Sequence, residues 1–288
     1  MNREDFQWKN DRQTIAVTQH PQADGSFLPL LTFPLLSKDT GVLNAFTTRE
    51  GGVSTGMFES LNVSYTRGDD PKAVTENYRR IAAALGGTLA DIVCSDQTHT
   101  TTVRRVDKSC GGYGVTRERP YTDVDGLVTD EPGLILATFY ADCVPLYFVD
   151  PVHHAIGLSH SGWRGTVGRM GLHTVTKMQQ EFGSRPEEML AAIGPSICQD
   201  CYEVSADVAA EFAKEFAGHE AEILQEKGGG KYQLDLWKSN GIVLREAGIL
   251  SEHLAVTNLC TCCNPTRLFS HRASHGKRGN LGAFLKIL

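Results

Sequence analysis

The sequence predicts an α+β protein in which mixed or antiparallel sheets are covered by helices. Two observations carry that expectation. Short β-rich runs interleave with helical segments, but without the regular alternation of a doubly wound parallel sheet. Two of those runs, 134–140 and 144–149, are separated only by Ala141, Asp142 and Cys143, too few residues for the crossover that parallel neighbours need.

Taken in chain order, strand-like runs are expected at 14–18 and 42–47. The first clear helix follows in "DDPKAVTENYRRIAAALGG". Asp70 supplies an N-cap and Pro71 a first-turn residue. Val74, Tyr78, Ile81, Ala82 and Leu85 then line one apolar stripe, and Gly86-Gly87 ends it. Further strands are expected at 92–95, 102–106, 134–140, 144–149, 155–159, 191–193 and 283–288. Further helices are expected at about 166–182, at 206–216 and after Asp235. No repeat or dividing linker is visible. The chain is read as one domain over 1–288, with residues 1–41 as an N-terminal extension packed on it.

Composition narrows the function. The chain has 288 residues, 41% of them apolar, and a net charge of −6, which is ordinary for a globular protein. A sequence pI near 5.9 and the absence of a basic block give no attraction to nucleic acid or anionic membranes. The polar start "MNREDFQWKNDRQ" does not read as a signal peptide, and no apolar run reaches the roughly 18 residues of a membrane span. A cytoplasmic protein is expected. Its eight cysteines are then thiols, metal ligands or catalytic groups rather than disulfides.

Three segments place reactive side chains where a strand stops: "IVCSDQTHTTTV" with Gln97 and His99, "FYADCVPL" with Asp142 and Cys143, and "AIGLSHSGWRGTVGRM" with His160. Strand ends of one sheet converge, so His99, Cys143 and His160 can reach a common point. Two imidazoles and a thiolate suit zinc, and three protein ligands leave a fourth position open, as in catalytic rather than structural sites. The plainer account of each residue alone is a surface histidine or a core-filling thiol.

Together, "FTTREGGVSTGMFESLNVS", "DQTH", "DVDGLVTD", "ADCVPLYFVD", "HSGWRGT", "AAIGPSICQDCYEV" and "LFSHR", in that order, resemble the YfiH/YlmD family. These are bacterial relatives of human laccase-domain-containing protein 1, often labelled multicopper polyphenol oxidase. The resemblance runs from about Val42 to the C-terminus. It implies a four-layered α-β-β-α sandwich and zinc held by the histidine of Q-x-H, the cysteine of A-D-C and the histidine of H-x-G-W-R-G. Those positions are His99, Cys143 and His160. It also implies phosphorolysis of adenosine, inosine and methylthioadenosine, with adenosine deamination beside it. The partners so implied are small-molecule purine nucleosides and phosphate, with no nucleic acid or membrane, and a homodimer is left open. An editing role on cell-wall precursors, attached to some members, is also left open.

Deamination requires an activated water and a proton shuttle, for which Asp142 is the first candidate. A turn-capping or ligand-orienting aspartate is the alternative. Phosphorolysis requires an anion site. Arg49 offers a planar donor fork, with Gly51, Gly52 and Ser54 as a nest of further donors, although a Gly-Gly pair is often only a turn. Asn62, Gln97, Arg164 and Arg272 are the other polar substrate-binding candidates, and Trp163 can stack on a purine or simply pack. The family often reads F-S-x-R-R where this chain has "FSHRASHGKRGN". Ala273 replaces the second arginine, which puts a phosphate role for Arg278 in doubt.

Rival classes use the same residues. Copper fits less well, because a copper laccase builds its cluster from His-x-His pairs and the chain has none among its ten histidines. A cysteine hydrolase would use Cys143 as nucleophile with His99 or His160 as base. A zinc-stabilised binding module is raised by Cys198 and Cys201 in "CQDC" with Cys260, Cys262 and Cys263 in "CTCC". That spacing suits a structural Cys₄ site, a reversible disulfide or buried thiols alike.

Overall fold

The computed structural model describes residues 1–288. In chain order, β1 (Ala16–Pro21) and β2 (Phe27–Thr32) form a hairpin, followed by the short α1 (Pro34–Ser37), β3 (Val42–Thr47), α2 (Pro71–Ala84), β4 (Ile92–Cys94) and β5 (Val103–Arg105). Next come β6 (Gly126–Thr129), β7 (Ile135–Tyr140), β8 (Val144–Asp150), β9 (Ala155–Ser161), α3 (Trp163–Val167) and α4 (Met170–Phe182). The rest comprises β10 (Leu190–Ile193), β11 (Glu203–Ser205), α5 (Ala206–Glu215), α6 (Glu220–Ile223), β12 (Leu224–Gly228), β13 (Lys231–Leu234), α7 (Leu236–Glu246), β14 (Leu254–Val256) and β15 (Leu281–Ile287).

Two six-stranded mixed sheets face one another, with strand orders β1-β2-β3-β15-β7-β4 and β14-β10-β8-β9-β6-β5, and a small sheet β11-β13-β12 lies apart. Phe46, Leu136, Tyr140 and Leu285 of the first sheet meet Tyr147, Val149, Ile156 and Leu158 of the second in one core. The outer face of the first sheet, with Ile135, Ala137 and Phe284, is covered by Tyr78 and Ile81 of α2. The outer face of the second, with Leu146 and Phe148, is covered by Val175 and Met178 of α4, Phe212 of α5 and Leu244 of α7. The result is the expected α-β-β-α sandwich.

This layering explains why β7 and β8 read as unbroken apolar runs. Successive side chains point to opposite faces, and both faces of each strand are buried. The two strands nevertheless do not pair with each other. Residues 141–143 carry the chain from one sheet across to the other, and the layers are tied by Tyr140 donating to the Ser159 carbonyl (2.9 Å) and Tyr147 to the Ala45 carbonyl (2.9 Å).

Local signals account for most boundaries. The Asp70 carboxylate accepts from the Lys72 amide at 2.9 Å, and the expected α2 stripe is buried against the sheet. Asp235 likewise caps α7 by accepting from the Lys238 amide at 2.9 Å. The single helix expected over 166–182 is instead two. Arg169 adopts a left-handed conformation (φ 58°) between α3 and α4, and its guanidinium pairs with Glu215 and Glu246. A side chain at Gly168 would come within 2.8 Å of Thr101, so the break lets the 97–102 loop approach. Strand β2, which contains Pro29, was not among the expected strands. Pro29 lies just outside the Leu30–Thr47 and Leu31–Phe46 pairing with β3, where no amide is required. Residues 16–32, part of the segment read as an extension, thus add two strands to the edge of the first sheet. No helix is long and apolar enough to cross a membrane.

Phe284 is fully buried on the central strand β15, between sheet and α2. Phe284→Ala is expected to lower the unfolding free energy by about 3–5 kcal/mol, read as a reduced urea midpoint with little change in slope.

Candidate metal centre

The β8/β9 register brings two of the three expected ligands together. Pro145 pairs with His160 and Val144 with Ser161, so Cys143, one residue before β8, stands diagonally across from His160 and opposite Gly162. A one-residue slip would turn His160 to the other face. The third group arrives from the loop after β4, where His99 takes a left-handed conformation (φ 69°). Gly162 makes room for it: a Cβ there would lie 2.9 Å from the His99 ring and 3.2 Å from the Cys143 sulfur. One nitrogen from each imidazole and the Cys143 sulfur lie within 4.8 Å of one another. The His99 Nε2 to Cys143 Sγ distance is 4.0 Å, and the two rings meet edge to face at 4.9 Å. The set can hold a metal ion. Two nitrogens and a thiolate fit the preferences of zinc, and His160 is buried while His99 is exposed to solvent.

The residue that organises this centre, Asp125, was not singled out from the sequence. Its carboxylate is fully buried, one residue before β6. Oδ1 accepts from His160 Nδ1 (2.8 Å) and the His99 amide (3.1 Å), and Oδ2 from the amides of Thr98 (3.1 Å) and Thr100 (2.9 Å) and the Thr100 hydroxyl (3.0 Å). One side chain therefore directs the His160 ring and folds the loop that presents His99. Burial pushes its pKa up, but the bonds from His160 and the loop hold it below the ordinary value. The only trace in the sequence was its place in "DVDGLVTD".

Asp142 proves to be the turn residue. It adopts φ 88°, Oδ1 accepts from the Thr261 hydroxyl (2.7 Å), Oδ2 from the Arg272 amide (2.7 Å), and its carbonyl accepts from the Ile197 amide (3.0 Å). Both carboxylate oxygens are engaged in fastening the Cys143 turn, and its neighbours Ala141 and Cys143, rather than Asp142, line the cleft described below. The geometry supports the turn-capping alternative over the proton shuttle.

The ligand set opens into a cleft of about 1020 Å³. Of the substrate-binding candidates only Gln97 lines it, and both ends of the Gln97 amide are bonded to Phe139 (2.6 and 2.8 Å). Arg49 donates to the carbonyls of Glu59 (2.8 Å) and Pro265 (2.9 Å) over the Phe269 ring, which removes it from the cleft. The Gly51-Gly52 nest is filled by Ser60 and Asn77. Asn62 is buried and bonded to Ser64 and Asp69, and Arg272 donates to the carbonyls of Cys201 and Glu203 (both 2.9 Å). Arg164 stacks on Trp163, away from the cleft. Arg49, Asn62, Gln97 and Arg272 each have an internal partner, which sequence spacing cannot reveal, whereas Arg164 is exposed.

Arg278 is the unexpected wall residue. It lines the cleft with Arg67 and Asn280, is largely buried, and its Nε has no hydrogen-bond partner. Burial and then the neighbouring Arg67 guanidinium lower its pKa to about 10. Two adjacent guanidiniums facing a cleft invite an anion.

The centre is charged even without a metal. Burial raises the Cys143 pKa, but the facing His160 and His99 outweigh it and bring the thiol down to about 6. Burial lowers His160, but the Cys143 thiolate and Asp125 raise it to about 9. A thiolate–imidazolium pair therefore spans the window between those values.

The chain matches the family model described as multi-copper polyphenol oxidoreductase laccase over residues 43–288. It is 38% identical over 246 residues to the purine nucleoside phosphorylase YlmD of Geobacillus stearothermophilus, covering 85% of this chain and 90% of that protein. It is 33% identical over 238 residues to the adenosine deaminase RL5 of an unknown prokaryotic organism, covering 82% and 90%. Its fold superposes on the crystal structure of the Bacillus licheniformis hypothetical protein YfiH with a TM-score of 0.86 at 34% identity, covering 90% of this chain and 96% of that one.

Two outcomes are expected. Asp125→Asn removes the charge that orients His160 while keeping its shape, and should weaken metal binding about 10–100-fold in a competitive chelator titration. In metal-free protein, alkylation of Cys143 followed by mass spectrometry should accelerate as pH rises through about 6, rather than through the ordinary thiol value of 9.0, and zinc should suppress it.

Proposed function

This chain belongs to the multi-copper polyphenol oxidoreductase laccase family, and from that premise we propose that it is a zinc-dependent purine nucleoside phosphorylase with adenosine deaminase activity. Adenosine, inosine and S-methyl-5′-thioadenosine are its proposed nucleosides. The observation that carries the reading is one cleft holding both a His99/Cys143/His160 metal set and the Arg67/Arg278 pair. The names of its relatives, phosphorylases and a deaminase, support the same reading.

Phosphorolysis moves a ribosyl group from a purine nitrogen to a phosphate oxygen. The phosphate must be held beside the anomeric carbon, and Arg278, with its free Nε, and Arg67 supply fixed positive charge for it. Arg278 takes the role that the sequence reading placed on Arg49. The apolar wall of Tyr65, Phe139 and Tyr140 offers surface for a purine ring. Zinc held by His99, Cys143 and His160 would supply a Lewis acid to the cleft. Asp125 keeps the Nδ1 side of His160 bonded, leaving Nε2 for the ion. Zinc is preferred to copper on the absence of any His-x-His pair.

One observation favours a second reading. Asp125, His160 and Cys143 stand in the order of an orienting acid, a base and a nucleophile, and the thiol is lowered to about 6. A cysteine hydrolase would use the same atoms without metal.

A product assay on metal-replete protein with adenosine and phosphate separates these possibilities. Adenine with ribose 1-phosphate is expected, and inosine with ammonia beside it. Neither product, together with alkylation-sensitive hydrolysis in metal-free protein, would favour the cysteine reading. Arg278→Met should raise KM for phosphate roughly 10- to 100-fold, the loss of a charged hydrogen bond, with a smaller effect on KM for the nucleoside.

A further inference from the structure

Four cysteines from two distant segments converge behind the candidate active site. Cys198 and Cys201 flank the turn between β10 and β11, and Cys260 and Cys263 follow β14. Their sulfurs all lie within 4.8 Å of one another, with Cys201 to Cys263 at 3.5 Å and Cys198 to Cys263 at 4.0 Å. A tetrahedral zinc with zinc–sulfur bonds of about 2.3 Å places its sulfurs about 3.8 Å apart. Each pair follows the C-x-x-C spacing of structural zinc knuckles, and the Cys198 amide donates to Cys260 Sγ at 3.2 Å, as amides do to metal-bound thiolates. All eight cysteines are free thiols, and the four sulfurs form one cluster rather than two close pairs. Cys262, within the same "CTCC" run, is left out of the cluster.

We infer that Cys198, Cys201, Cys260 and Cys263 form a structural tetrathiolate zinc site that fastens the turn carrying Cys143. The mechanical link is short. Ile197 donates its amide to the Asp142 carbonyl (3.0 Å), and Thr261 donates its hydroxyl to the Asp142 carboxylate (2.7 Å). Each of those two residues is next in sequence to a cluster cysteine. The segments are further joined by the Thr261 amide to the Ser196 carbonyl (3.1 Å), and Arg272 bonds both Asp142 and the Cys201 carbonyl. The two loops continue the paired strands β10 and β14, meet again at a Ser196–Cys260 bridge, and bury Ile197, Cys198 and Cys260 in the core. A closed four-ligand ion would cross-link them there. Binding displaces the thiol protons and leaves two net negative charges, and Lys9, paired with Asp200 at 2.6 Å, brings a cation to the outer side of the cluster.

The test counts zinc in the full chain purified under reducing conditions. Two zinc ions per chain are expected. His99→Ala/His160→Ala should keep one of them, and Cys201→Ser/Cys263→Ser should keep the other with a lowered melting temperature. Cys262→Ser should keep both. If the cluster variant fails to fold, cobalt substitution of the His99→Ala/His160→Ala protein gives the answer, because a tetrathiolate site shows intense sulfur-to-cobalt charge-transfer and tetrahedral ligand-field bands. Those bands in the histidine variant support the site. Zinc absent from the histidine variant, a cobalt spectrum without those bands, or an intact mass two hydrogens short with Cys201 and Cys263 linked would overturn it. Loss of the His99 site alone would count against the proposed function and leave this clamp standing.

Discussion

The buried carboxylate of Asp125 is the constraint on which the candidate site depends. A charge removed from water must be matched by donors, and this one collects three consecutive loop amides, a hydroxyl and an imidazole. Satisfying it forces the 98–100 loop into one conformation and the His160 ring into one orientation. His99 can hold its left-handed backbone because those bonds over-determine it. The two histidines of the candidate metal set are thus placed by a residue that is not among them.

A second constraint comes from layering. Strands β7 and β8 belong to facing sheets, so the residues between them must cross the sandwich within three positions. Such a crossing leaves backbone groups without ladder partners. Asp142 meets that need: its carboxylate and carbonyl gather donors from 197, 261 and 272. Cys143 is therefore held at the edge of both sheets, beside the cleft, by a turn anchored on its far side. Of the acid and the thiol that interrupt two core strands, the acid is an architectural anchor and the thiol faces the cleft.

Charge in the cleft follows the same logic. Arginines whose guanidiniums find carbonyls, such as Arg49 and Arg272, act as struts between loops. Arg278 retains a buried nitrogen without a partner and faces a second guanidinium. An unsatisfied buried donor is unfavourable unless a ligand completes it, so it points to a binding site more strongly than an exposed arginine does.

The sequence by itself determined the helix starts at Asp70 and Asp235 and most core strands, because these depend on local pattern. It also pointed to His99, Cys143 and His160, but not by the route expected: β4 belongs to the first sheet and β8 and β9 to the second, so the facing of two sheets, not one shared sheet edge, brings the three together. The tertiary structure alone decided that 141–143 joins two sheets, that a left-handed Arg169 splits the 166–182 helix, and that Pro29 is tolerated in β2. It also decided which polar side chains face the cleft. Arg49, Asn62, Arg164 and Arg272 resemble binding residues in a list of letters, and Asp125 resembles a loop aspartate. Whether Arg49 or Arg272 is free depends on Pro265 and Cys201, 216 and 71 residues away, and that information exists only once the chain has closed on itself.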